Sequence, residues 1–193
     1  MSGSGRSVLF VSQNNKARSF IFSLITQAMS LKPVPLKTRD FAAFGNVIEI
    51  CDEPGMAVNE GSAQRFNRLV TPQVAASDPD EQCAISLFQS RLFEFPVALA
   101  CLERHPLASQ AFIPMSDAPF LIVVASDHDG IPQHPCAFVT DGKQGVNYYR
   151  NVWHATLTPL GGNGLFAAVD YAGEEDNLEL YRFEKPLIVE SNV

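Results

Sequence analysis

The stretch Phe120-Leu-Ile-Val-Val-Ala125 limits the fold of this chain more than any other. A continuous apolar run of that length reads as a strand buried on both faces. Around it the chain keeps to one pattern. Residues 34–36 form a short edge strand marked by prolines, and 46–50 a second strand. Further strands fit 64–70, 83–91, 97–104, 110–115, 136–140, 152–158, 165–171 and 178–183, separated by turns bearing glycine or proline. Residues 38–45 read as one helical turn, with Thr38 as N-cap, Phe41 and Phe44 on one side and Gly45 as the stop. Residues 52–61 read as loop. Roughly ten short strands with turn signals every ~8–15 residues, and little helix, indicate an all-β sandwich or closed barrel. No internal repeat is visible, which favours one barrel over an array. The mouth of a small barrel is a place where inward polar side chains meet.

A chain of 193 residues suits one domain with a sizeable core. Its net charge of −7 argues against a nucleic-acid surface and for a small-molecule or protein partner. Residues 1–28 hold Arg6, Lys16 and Arg18 and no acidic residue, which sets them apart as an N-terminal extension, disordered or partly a short helix over 17–28. Such a start mimics an organellar transit peptide but lacks the pattern that export needs, and the plainer expectation is that the functional domain spans 29–193. Cys51, Cys83, Cys101 and Cys136 show no C-x-x-C or C-x-H spacing. They are expected to be reduced, packed thiols of a cytoplasmic protein rather than a structural zinc site. No apolar run approaches the ~20 residues of a membrane span.

Two polar stretches stand out. In Cys101-Leu-Glu-Arg-His-Pro-Leu-Ala-Ser-Gln-Ala-Phe-Ile-Pro-Met115, alternation puts Glu103 and His105 on one face of a strand, and Gln110 opens the next strand of a hairpin. In Asn147-Tyr-Tyr-Arg-Asn-Val-Trp-His154, hydrogen-bonding side chains crowd beside a turn bearing Gly142 and Gly145. If the two stretches face each other inside a barrel, Glu103, His105, Gln110 and His154 make a site. His128 and His134 lie in polar, turn-like surroundings and read as exposed. Arg65, with Asn59 before it, is a candidate for gripping an anion, since guanidinium suits a carboxylate. Asp170, inside an apolar strand, either points to solvent or lines the site.

These stretches are similar to a known family. Residues 102–115 and 144–154 resemble the signature stretches of the ureidoglycolate lyases of allantoin degradation. Residues 40–49 look like that family's start, and Val58-Asn-Glu-Gly with Arg65-Phe66 like its next block. The resemblance covers about residues 31–179. It implies a cupin (jelly-roll) barrel with a few short helices, a homodimer, and cleavage of ureidoglycolate into glyoxylate and urea in purine breakdown. Against general cupin metal motifs, Glu103 and His105 stand where H-x-H is usual, Gln110 replaces the usual glutamate, and His154 takes the second-motif histidine. A set of His105, Gln110 and His154 would hold a divalent metal weakly or not at all. Tyr149 and Ala155 stand where some relatives have histidine, and Tyr171 where arginine is usual.

The chemistry of that substrate then assigns roles. One carbon carries a carboxylate, a hydroxyl and the ureido nitrogen, so splitting C–N needs a base for the hydroxyl proton and an acid for the departing nitrogen. His105 or His154 serves as base. Glu103 orients an imidazole, or is the acid if burial raises its pKa. Arg65, with Asn59, or a metal if one is present, holds the carboxylate, and Gln110, Asn147 and Tyr148 donate hydrogen bonds to the ureido group, with Trp153 and Asp170 as further contacts. Two other readings are weighed: a cupin isomerase or hydrolase for another small hydroxy acid, and a non-catalytic barrel that binds a small acid.

Overall fold

The computed structural model describes residues 29–50, 54–75 and 83–192, so the expected extension 1–28 lies outside the described residues, as does Cys51. Its strands are β1 (Ser30–Leu31), β2 (Val34–Pro35), β3 (Gly45–Ile48), β4 (Met56–Val58), β5 (Ala63–Arg65), β6 (Cys83–Gln89), β7 (Val97–Arg104) and β8 (Gln110–Pro114). They continue as β9 (Phe120–His128), β10 (Ile131–Val139), β11 (Gly145–Tyr148), β12 (Trp153–His154), β13 (Thr158–Pro159), β14 (Leu165–Tyr171) and β15 (Glu179–Val189). One short helix, α1 (Thr38–Phe41), precedes β3.

The strands form two sheets, in the orders β1-β15-β7-β12-β9-β10-β2 and β3-β11-β8-β14-β6, with β13 added to β9 and a separate β4-β5 ribbon. Phe120, Ile122 and Val124 of β9 pack with Phe112, Val146, Tyr148, Phe166 and Ala168 of the second sheet, so the sheets face each other across one core. The alternate residues Leu121, Val123 and Ala125 pack on the opposite face with Val97, Leu99, Leu102, Trp153 and Leu187. The apolar run is therefore buried on both faces, as its composition requires. The fold is all-β and cupin-like, with the sheets curled into a barrel.

Several boundaries differ from the sequence-based expectation. The α1 cap position is Lys37, without a side-chain bond, because the Thr38 hydroxyl donates instead to Glu49 Oε1 at 2.8 Å. Gly45 is the first residue of β3 rather than a helix stop. A Cβ there would collide with the carbonyl of Asn147 on β11, so close strand approach explains the glycine. The strand expected over 64–70 is limited to β5, since Arg68 has a positive φ of 55°. The loop expected over 52–61 contains β4. Residues 152–158 split into β12 and β13. The strand expected from 136 begins at Ile131, and a bulge between Gln133 and Cys136 re-registers it. His128 and His134 are exposed, as expected, but lie on β9 and β10.

Phe41 is fully buried and packs edge-on against Phe138 and Tyr148, tying α1 to both sheets. Phe41→Ala is expected to lower stability by about 3–5 kcal/mol. Urea unfolding would show this as a lower midpoint with unchanged slope; a loss under ~1 kcal/mol would contradict this packing account.

Candidate active site

The site is built on β7, β8, β12 and the turn before β12. Antiparallel pairing places His154 directly opposite Glu103, and Val124 on its other side. Directly paired residues project to the same face, about 4.5–5.5 Å apart at Cβ. His154 Nε2 lies 3.6 Å from Glu103 Oε1 and 3.3 Å from Gln110 Oε1. The His105 ring is 5.2 Å from that of His154. Tyr148 stacks on the other side of His154, with ring centroids 4.2 Å apart and planes within 10°. Glu103, His105, Gln110 and His154, read from the sequence as one group, are brought together.

Each imidazole is oriented from behind by a main-chain carbonyl. His154 Nδ1 lies 2.9 Å from Val152 O, and His105 Nδ1 lies 2.6 Å from Asn177 O. A carbonyl only accepts, so both Nδ1 atoms carry the hydrogen and both Nε2 atoms present a lone pair. His105 Nε2 is buried with no hydrogen-bond partner. His154 Nε2 then has no hydrogen to give, so the Gln110 amide 3.3 Å away meets it as an N–H donor once turned over, and Glu103 Oε1 at 3.6 Å is beyond hydrogen-bond reach. Ligand atoms of Glu103, His105 and His154 all lie within 4.8 Å of one another, a set that could hold a metal ion. Ring nitrogens and a carboxylate oxygen gathered this closely, with Nδ1 of each imidazole tied to a carbonyl, resemble the usual arrangement of metal-binding histidines, so the donor set fits a divalent ion. Relative to the expected trio of His105, Gln110 and His154, the group that could hold an ion is Glu103, His105 and His154, with Gln110 alongside.

Burial sets the electrostatics. The Glu103 carboxyl is pushed above the usual carboxylate range chiefly by desolvation, with His105 pulling the other way. The His154 imidazole is lowered to about 3, first by burial, then by the charge of His105, against the bond to Val152. Burial, and secondarily Glu103, also raises Tyr148, so its hydroxyl stays protonated. His154 is thus a neutral imidazole throughout the physiological range.

Two cavities meet this cluster. One of about 290 Å³ is lined by His105, Ser109, Gln110, Asp170 and Asn177 among others. The other, about 350 Å³, is lined by Glu103, Gln110, Phe112, Arg91 and Thr156 among others. Asp170 therefore lines the site rather than facing bulk solvent, and accepts a bond from Ser86 Oγ at 3.2 Å. Other expected contacts stand elsewhere. By strand alternation, Asn147 points away from the face that carries Tyr148 and bonds Asn46, with Nδ2 3.3 Å from Asn46 Oδ1. Trp153 likewise lies on the far side of the sheet from His154, in the outer apolar cluster. Asn59 and Arg65 are exposed on the turn and strand of the β4-β5 ribbon, which pairs with no other strand among the described residues. Sequence reasoning missed Arg91 and Asn177: neither sits in a recognisable motif, and each reaches the site only through the fold.

The low value at His154 makes stability depend on pH. Folding holds the imidazole neutral down to about 3, whereas the unfolded chain takes up the proton near 6.5. The contribution is complete above about 6.5 and is lost as pH falls below it. Between pH 8 and pH 5 the protein should lose about 2 kcal/mol relative to His154→Gln, at roughly 1.4 kcal/mol per unit below 6.5. Urea unfolding of both proteins at the two pH values measures this, and a constant difference would contradict a buried neutral imidazole.

Comparison with known proteins identifies the family of the chain. The profile of the ureidoglycolate lyase family matches residues 28–190. Ureidoglycolate lyase 2 of Rhizobium meliloti (strain 1021) is 44% identical over 156 residues, which is 81% of this chain and 94% of that protein. Ureidoglycolate lyases of Chelativorans sp. (strain BNC1) and Mesorhizobium japonicum are 41% and 43% identical, over 79% and 77% of this chain and 91% and 90% of theirs. The chain belongs to the ureidoglycolate lyase family.

Proposed function

We propose that this protein is a ureidoglycolate lyase that splits its substrate into glyoxylate and urea at the Glu103, His105 and His154 cluster. The observation that carries the reading is the pairing of a carboxyl with raised pKa and an unpartnered imidazole nitrogen, in a chain of this family. His105 Nε2 takes the hydroxyl proton, the C–O bond becomes a carbonyl, and the C–N electron pair leaves on the ureido nitrogen. Glu103, whose protonated form burial favours, delivers the proton that nitrogen needs. His154, held neutral, is too weak a base to collect that proton at pH 7, so its role is to face and position the substrate beside Gln110. Arg91 is the one cationic side chain among the described residues lining the two cavities, and is suited to the substrate carboxylate. A divalent ion held by His105, His154 and Glu103 would polarise the substrate oxygens.

His105→Ala and Glu103→Gln are each expected to slow glyoxylate release by at least ~10², the scale of general acid–base catalysis. Near-normal turnover in either variant would remove that residue from the mechanism. Chelator treatment with metal analysis separates the two forms of the site. Activity that survives in metal-free protein assigns the chemistry to the side chains alone, and loss restored by a divalent ion assigns the cluster as its ligand set.

The same reading includes a homodimer. On the outer face of the β3-β11-β8-β14-β6 sheet, Ile85 and Leu87 are 80% and 66% exposed, and Ile113 and Met115 are also exposed. A patch of this kind supports burial against a second copy. Sedimentation at micromolar concentration should give a dimer that Ile85→Glu with Leu87→Glu dissociates; a monomeric wild type would contradict it. Cys83, Cys101 and Cys136 are free thiols, which supports a reducing, cytoplasmic setting.

A further inference from the structure

On the far side of the sheet from the site, one guanidinium touches both elements that aim the imidazoles. Arg104 lies between Glu103 and His105 in β7 and the turn after it, and alternation sends its side chain the other way. Its Cζ sits 4.5 Å from the centroid of the Trp153 ring. Its Nη1 is 2.7 Å from Asp127 Oδ1, and that same oxygen accepts the Trp153 indole N–H at 2.8 Å. Its other edge grips Glu179 Oε2, with Nε at 2.8 Å and Nη2 at 2.6 Å.

The two arms of this network end at the two histidines. Trp153 precedes His154 in the two-residue strand β12, so a fixed indole fixes the ring on the opposite face. Glu179 opens β15, two residues after Asn177. Asn177 holds His105 Nδ1 through its carbonyl and accepts the Leu107 N–H at 2.6 Å through its side chain. Isolated surface ion pairs contribute little. Here the Arg104 side chain is only 15% exposed, sits over an indole and joins two carboxylates, so its position is fixed from several sides.

We infer that Arg104 is a positioning residue that sets the orientation of both site imidazoles from behind the sheet, through Asp127 and Trp153 to His154 and through Glu179 and Asn177 to His105. It touches no substrate. Its effect on turnover rests on the lyase reading above; its effect on the imidazoles does not.

Nitrogen-15 NMR of the histidine side chains at pH 7, with glyoxylate release measured on the same samples, tests this. Asp127→Asn should shift the Nδ1–H signal of His154 alone, and Glu179→Gln that of His105 alone. Arg104→Met should shift both and lower kcat by about 10–100-fold, the scale seen for residues that orient ligands from outside the first contact layer, with KM little changed. Arg104→Lys keeps a cation over the indole but cannot hold two carboxylates in a planar grip, so it should restore the His154 signal more fully than that of His105. A folded Arg104→Met protein with both signals and kcat unchanged overturns the inference, as do milder variants that shift neither signal or each shift both equally. A wild type without lyase activity sinks the functional reading instead, and the NMR signals still decide the role of Arg104.

Discussion

Across the ladder between β7 and β12, His154 stands directly opposite Glu103, and that single register fixes the rest of the site. A strand of two residues has one side chain for each face. Slipping β12 by one position would bury Trp153 in the barrel and send His154 into the outer apolar cluster. The register is held on one face by Trp153 among Leu102, Ala125 and Leu187, and on the other by Tyr148 stacked on the imidazole. The apolar strand β9 supports both faces, because Ala125 and Val124 pair with Trp153 and His154 in turn. The core and the site therefore share one scaffold.

Desolvation then gives the cluster its chemistry. The same burial that raises the Glu103 carboxyl lowers the His154 imidazole, so both groups are driven toward their neutral forms. Favouring the protonated carboxyl at Glu103 equips it to supply a proton to a leaving nitrogen. The Nδ1 edges of the rings are taken by the carbonyls of Val152 and Asn177, which leaves the Nε2 edges to act in the site. The same preorganisation serves a divalent ion or a substrate proton.

The sequence carried much of this. The apolar run at 120–125 implied a strand covered twice, and the polar hairpin at 101–115 with Trp153-His154 identified the residues that meet. It was less informative where strand alternation separates neighbours. Asn147 and Tyr148, like Trp153 and His154, were read as joint contacts, yet adjacent residues of a strand cannot share a face, and only Tyr148 and His154 turn inward. Asn177 and Arg91 left no trace because their roles come from loops that approach the site in space alone. Asn59 and Arg65 carry the family likeness but lie on a ribbon outside the cluster. The cap expected at Thr38 failed for a similar reason: a partner eleven residues away, Glu49, takes its hydroxyl.

The claim that the cluster between β7, β8 and β12 is where ureidoglycolate is cleaved is tested most directly by a crystal structure with the product glyoxylate. Glyoxylate oxygens should lie within about 2.6–3.2 Å of Glu103 and His105 Nε2, the reach of acid–base partners. A separate cavity of about 400 Å³, lined by Pro33, Phe95, Val139 and Gln144, offers the contrasting result. Glyoxylate bound there, with the Glu103, His105 and His154 cluster left empty, would contradict the account.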